Sequence, residues 1–162
     1  MNIEKHHVLA KNKQAHHRQF LAWLKKKKPK DLDLVAHNFH NEVFDEIDCL
    51  TCANCCKTTG PLFTEKDIDR ISSHLKMSAG KFIDQFLQKD EDSDWVLQSL
   101  PCPFLGSDNY CSIYKVRPKA CAEFPHTDRR KLYLINHLTI QNTLICPAAY
   151  EVVERMRGFY QK

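Results

Sequence analysis

The sequence predicts a mainly α protein with a few short β-strands, a small α+β fold built as a single domain around its cysteines. Apolar residues recur at three- and four-residue steps along most of the 162 positions, the spacing of a helix face. Strand-like alternation is confined to short pieces after Trp95. Eight cysteines interrupt these patterns, four of them between Cys49 and Cys56, and burial alone gives no reason for such clustering.

The first segment reads as a helix with Val8, Leu9, His16, Phe20, Trp23 and Leu24 as its apolar face. It stops at Lys25 to Lys28 before Pro29, because cations suit a helix C-terminus and proline cannot continue one. A second helix starts at Asp31 or Asp33 and carries Val35, Phe39, Val43 and Ile47 into the cysteine run, which is read as loop. Beyond Gly60-Pro61, Thr64 and Asp67 make a capping-box-like start to a third helix bearing Ile68, Ile71 and Leu75. Ser78 opens a short helix with Phe82, Ile83, Phe86 and Leu87 on one side, and the acidic residues 90–94 close it as solvated loop. PCPFL and YCSIY then flank the turn-forming residues 106–109 as strands of a hairpin that brings Cys102 and Cys111 together. Pro118 starts a short helix carrying Cys121, LYLINHLTI reads as a strand, and Cys146-Pro147 opens a last helix that turns Val152, Val153 and Met156 inward.

Charge divides the chain unevenly. Residues 1–30, a basic N-terminal helical arm, hold nine Lys/Arg and one acid, whereas residues 31–162, the cysteine-cluster domain, hold fifteen against nineteen. The net charge of +4 therefore resides in the arm. Hydrophobic content of 43% and charged content of 27% are those of a soluble globular chain, and no run approaches the roughly 20 apolar residues of a membrane span. No membrane partner is expected. The opening residues lack the apolar core of a secretory signal, so the expected compartment is the cytoplasm, where thiol systems keep sulfurs reduced. Reduced, clustered thiols point to metal rather than to four disulfides.

Cys49, Cys52 and Cys55 repeat a two-residue spacing that turns sulfurs towards one ion and lets backbone N–H groups bond the thiolates. The same register opens bacterial ferredoxin ligand runs, in which a Cys-Pro supplies a further ligand. Here Cys102 and Cys146 both precede proline. Cys56 is adjacent to Cys55, and neighbouring side chains diverge, so the two serve different metals or different atoms of one cluster. With Cys111 and Cys121, the eight cysteines Cys49, Cys52, Cys55, Cys56, Cys102, Cys111, Cys121 and Cys146 fill two four-sulfur sites or one multinuclear centre. These are the candidate metal ligands. All-sulfur ligation suits an iron–sulfur cluster or zinc, and the repeated spacing with two Cys-Pro pairs favours iron–sulfur. Lys57, Lys115, Arg117 and Lys119 either soften the charge of the thiolates or are ordinary surface cations, and Phe63, Phe104, Tyr110, Tyr114 and Phe124 either seal the centre from water or simply pack the core.

The segments CLTCANCC, TEKDIDRI, PCPFL and YCSIYKVRPKACAEFP, with the late Cys146, resemble the YkgJ-like cysteine-cluster family of zinc- or iron-chelating domains. The resemblance covers roughly residues 45 to 150 and matches all eight cysteine positions. A glycine more often stands in that family where this chain has Asn54, a residue that also tolerates a left-handed turn. A flagellin lysine methylase is similar to the family in its cysteine cluster, which implies a link to protein modification.

Other chemistry is sparsely signalled. His6-His7, His16-His17 and the helix-spaced His37 and His40 offer imidazoles for a second metal, without an acidic third ligand in view. Lys25 to Lys28 could attract nucleic acid without sequence preference, but a solvated helix end accounts for them and nucleic acid is disfavoured. There is no phosphate-cradling glycine loop, dinucleotide fingerprint, HExxH or nucleophile elbow, and only four glycines. The spacing of radical S-adenosylmethionine enzymes is missing, since Thr59 stands where its third cysteine belongs. The function expected first is metal binding with an electron-transfer, redox-sensing or chelating role. The alternatives are an enzyme of protein modification, with catalytic residues unknown, and a zinc-stabilised interaction module whose basic arm docks a protein partner.

Overall fold

The computed structural model describes residues 2–161. In chain order the elements are α1 (Ile3–Lys27), α2 (Leu32–Glu46), α3 (Cys49–Cys52), α4 (Asn54–Thr58), α5 (Glu65–His74), α6 (Ala79–Phe86), β1 (Leu87–Lys89), β2 (Trp95–Leu97), α7 (Lys119–Glu123), α8 (Asn136–Ile145) and α9 (Pro147–Tyr160). Short 3₁₀ turns occupy Tyr114–Val116 and Leu132–Ile135. The expected class holds: among the described residues the fold is mainly helical, with a small two-stranded sheet. The chain divides into two compact units, the first formed by Met1–Cys52 and Pro125–Lys162, the second by Ala53–Phe124.

In the first unit, α1 packs against α8 and α9, and α2 against α9. The Asn2 side chain accepts the Lys5 N–H at 3.0 Å to cap α1, and Lys28, left-handed at φ 47°, ends it through a 2.8 Å bond to the Leu24 carbonyl. The buried face of α1 is His6, Ala10, His17, Phe20, Leu21 and Leu24. Val8, Leu9 and His16, placed on the apolar face from the sequence, are exposed, because the three-residue step from His17 to Phe20 sets the stripe. Phe20, Leu21, Leu24, Val43, Val152, Val153 and Met156 lie at the centre of this core. As expected, α9 turns Val152, Val153 and Met156 inward, each fully buried. The LYLINHLTI segment is a correction. It forms the 3₁₀ turn and the start of α8 rather than a strand, since Leu132 and Thr139 bury at helical intervals and the Thr139 hydroxyl bonds the Ile135 carbonyl one turn back.

In the second unit, Thr64 and Asp67 form a complete capping box for α5, and the Ser78 side chain caps α6 by accepting the Lys81 N–H at 3.2 Å. Ile68, Ile71, Phe82, Phe63 and Phe104 pack as one core, with the Phe82 ring 6.1 Å from those of both Phe63 and Phe104. The sheet differs from expectation. β1 and β2 pair antiparallel, Leu87 opposite Leu97 and Lys89 opposite Trp95, and the acidic residues between them form the turn. The Asp90 carboxylate accepts the N–H groups of Asp92 and Asp94 at 3.0 and 2.9 Å, the local bonding that suits aspartate to turns. Where a hairpin was expected around residues 106–109, the turn is present, with Asn109 at φ 65°, but pairing is limited to a single bridge between Leu105 and Cys111.

Candidate metal centre

The cysteine run is not loop. Cys49–Cys52 and Asn54–Thr58 are single helical turns, and between them Ala53, not Asn54, takes the left-handed conformation, at φ 48°. Asp48 starts the first turn, its carboxylate accepting the Leu50 N–H and its carbonyl accepting the Thr51 hydroxyl, both at 2.8 Å. The boundary between the two units falls after Cys52, so the run contributes sulfurs to each.

In the second unit, Cys55 and Cys56 lie on α4 with their sulfurs 4.0 Å apart. The Cys102 N–H donates to the Cys56 carbonyl at 2.8 Å, and the Leu105 N–H to the Cys102 carbonyl at 3.0 Å. The Leu105–Cys111 bridge then sets Cys111 across the turn. Cys121 arrives on α7, whose first N–H, from Lys119, donates to Asp67 at 3.1 Å.

Electrostatics tie these five cysteines together. The bond from Cys55, reinforced by Lys57, lowers the Cys56 thiol to about 7 against the effect of burial. Burial and the neighbouring Cys56 raise Cys102 and Cys111. Cys121 is pushed up to about 12 by burial and then by charge on Cys56, Cys102 and Cys111, with Arg117 opposing. Thiols that disfavour one another's ionisation ionise together when a cation supplies the opposing charge. In the first unit, burial pushes Cys146 up to about 11, the N–H groups of Ala149 and Ala148 at the start of α9 oppose this, and Cys49 and Cys52 raise it further. The eight predicted ligands thus fall into two sets: Cys55, Cys56, Cys102, Cys111 and Cys121 in one unit, Cys49, Cys52 and Cys146 in the other.

All eight are thiols rather than cystines, a soft donor set that fits tetrahedral zinc or iron–sulfur. Among the described residues, no three His, Cys, Asp or Glu side chains are grouped tightly enough to hold an ion as they stand.

Of the expected cations, Lys57 and Arg117 act on the thiols, whereas Lys119 pairs with Glu123 at 3.5 Å. Of the aromatic seal, Phe63 and Phe104 are buried, but Tyr110 and Tyr114 are 58% and 55% exposed and cannot exclude water. The histidines bond elsewhere: His37 Nδ1 lies 2.6 Å from Asp128, and His40 Nδ1 lies 2.8 Å from the Thr127 hydroxyl. Asp67 is the residue that sequence reasoning undervalued. Its place in the capping box was visible, but not its bond to the helix that carries Cys121.

The fold and its two thiol sets define a small helical cysteine-cluster protein. A family model described as "Putative zinc- or iron-chelating domain", the CxxCxxCC family, matches residues 48–147. The chain belongs to this family. Comparisons with curated proteins and with solved structures return no match.

Proposed function

We propose that this protein holds metal through thiolates, with Cys56, Cys102, Cys111 and Cys121 as one four-sulfur set and Cys49, Cys52 and Cys146 contributing to a second. The reading is carried by one observation: backbone bonding brings three half-buried thiols into one neighbourhood, the Cys102 N–H donating to the Cys56 carbonyl at 2.8 Å and Cys111 bridging to Leu105 beside Cys102. Iron–sulfur is the preferred occupant. The spacing of Cys49, Cys52 and Cys55 and the two Cys-Pro pairs support it, and electron transfer or redox sensing in a reducing cytoplasm is the role that follows. Cys55 Sγ lies 4.0 Å from Cys56 Sγ, and it serves as a ligand to a different atom of a multinuclear centre than Cys56 does. Because the sulfurs come from distant stretches, metal-binding energy becomes folding energy.

The test is elemental analysis of anaerobically purified protein, with labile sulfide measured alongside. Iron with equimolar sulfide in a brown protein is expected. Stoichiometric zinc in a colourless protein would replace iron–sulfur, and absence of either metal would end the proposal. Cys56→Ser and Cys121→Ser should each lower metal content by at least half, while the exposed Tyr110→Phe leaves it unchanged.

A further inference from the structure

Five lysines crowd the end of α1. Lys25, Lys26, Lys27, Lys28 and Lys30 are all exposed, and so are Arg129, Arg130 and Lys131 in the turn that precedes the 3₁₀ segment. The first unit brings these two segments to one corner. Asp33 joins them: its carboxylate accepts the Lys131 N–H at 2.6 Å and stands 3.6 Å from Arg130 Nε. The Lys28 ammonium lies 5.7 Å from the centre of the Tyr133 ring, and the Asn136 side chain donates to the Leu21 carbonyl at 2.8 Å. Residues 25–33 and 128–133 thus hold eight Lys/Arg against three Asp, and each of these carboxylates has a partner within the unit. Tyr160 bonds Asp31, Arg130 and Lys131 engage Asp33, and His37 bonds Asp128.

Two further features set this corner apart from a solvated helix end. Lys28 and Lys131 both hold positive φ, 47° and 53°, a conformation open to glycine without a steric penalty, yet each position carries a cation. Directly after the turn, Leu134 is 62% and Leu138 42% exposed, with the Leu134 N–H bonded to the Lys131 carbonyl at 2.9 Å. Cations on flexible stems beside protruding leucines match an anionic lipid interface, which takes charge at the headgroups and apolar side chains at the acyl boundary. Nucleic acid would leave the leucines without a partner. Stacking on bases is also poorly served, since Tyr133 is half-buried beside Lys28.

We propose that this corner of the first unit is a peripheral docking surface for a bilayer rich in anionic phospholipid. No helix among the described residues is long and apolar enough to cross a membrane, so attachment is from one side. The sequence expectation of no membrane partner considered spanning segments alone, and could not see two distant basic segments meet.

The test is co-sedimentation of the full chain with phosphatidylcholine vesicles, with or without about 30% phosphatidylserine. Binding should require the anionic lipid and fall as salt rises, because the Debye length shrinks. Substituting Lys25, Lys26 and Lys27 by Gln, or Arg129 and Lys131 by Gln, should each weaken it at least about tenfold. Leu134→Ser should weaken it without changing the salt dependence. All of these side chains are exposed, and circular dichroism checks that each variant keeps its helices. Equal binding to neutral vesicles, no binding at low salt, or tighter binding to duplex DNA or polyglutamate at matched salt would overturn the proposal.

Discussion

The carboxylate of Asp67 accepts the backbone N–H of Lys119 at 3.1 Å, joining the start of α5 to the short helix that carries Cys121. The same side chain, 1% exposed, accepts the Thr64 N–H at 3.0 Å, the Thr64 hydroxyl at 2.7 Å and Arg70 Nη2 at 2.6 Å. Burial pushes its carboxyl up, yet the bonds from Thr64, Arg70 and Lys119 together hold it below its ordinary 3.8.

Replacing this group tests whether it positions a proposed ligand. Asp67→Ala strands the Thr64 and Lys119 N–H groups and should cost about 3 kcal/mol, the scale of losing buried charge-assisted bonds. It should also reduce metal content without removing a thiol. Asp67→Asn keeps an acceptor and should fall between the two. Urea denaturation with elemental analysis reads both effects, and wild-type values for the alanine variant would deny Asp67 this role.

A second prediction concerns acid. His17 is fully buried with Nε2 3.0 Å from Glu154, while its Nδ1 is buried without a partner among the described residues. Burial lowers its pKa below 6.5 despite the pull of Glu154, and burial lowers His6 likewise. Below pH 6.5 the unfolded chain takes up protons that the folded one refuses. Stability is therefore complete above 6.5 and declines as pH falls towards the folded values, by up to about 1.4 kcal/mol per pH unit for each proton. Glu154, held below 4.5 first by Arg157, adds acid loss in the same direction at lower pH. Denaturation curves across pH 7.5 to 5.5 should show this slope, and His17→Phe should make it shallower. An unchanged slope in that variant would remove His17 as the source.

Lys28 offers a third prediction, because a left-handed lysine costs about 1 kcal/mol that glycine does not. Lys28→Gly should raise stability by about 0.5 kcal/mol, after loss of the exposed contact with Tyr133. A higher melting temperature with weaker vesicle binding is the expected pair of results. A lower melting temperature would show that the contact with Tyr133 outweighs the strain.

Much of this architecture was legible in the chain because its signals are local. Thr64 and Asp67, Ser78, Pro118 and Pro147 all mark helix starts where the structure has them, since caps and prolines act within one turn. The misreadings fall where short-range pattern is ambiguous. Val8 and Leu9 look like a buried face until packing selects His6 and His17 instead, and LYLINHLTI is apolar enough for a strand or a helix until Thr139 and Asn142 are seen to bury. The proposed ligands could be named from spacing, whereas their division into two sets follows from tertiary contacts that spacing does not encode.

The second unit is one uninterrupted stretch, Ala53–Phe124, whereas the first is completed only by Pro125–Lys162. During synthesis the ribosome therefore finishes every residue of the Cys56, Cys102, Cys111 and Cys121 set before it reaches α8 and α9. Units close in the order they emerge. The proposed Cys56, Cys102, Cys111 and Cys121 set is thus complete on the nascent chain before Cys146, proposed to join Cys49 and Cys52, has been translated.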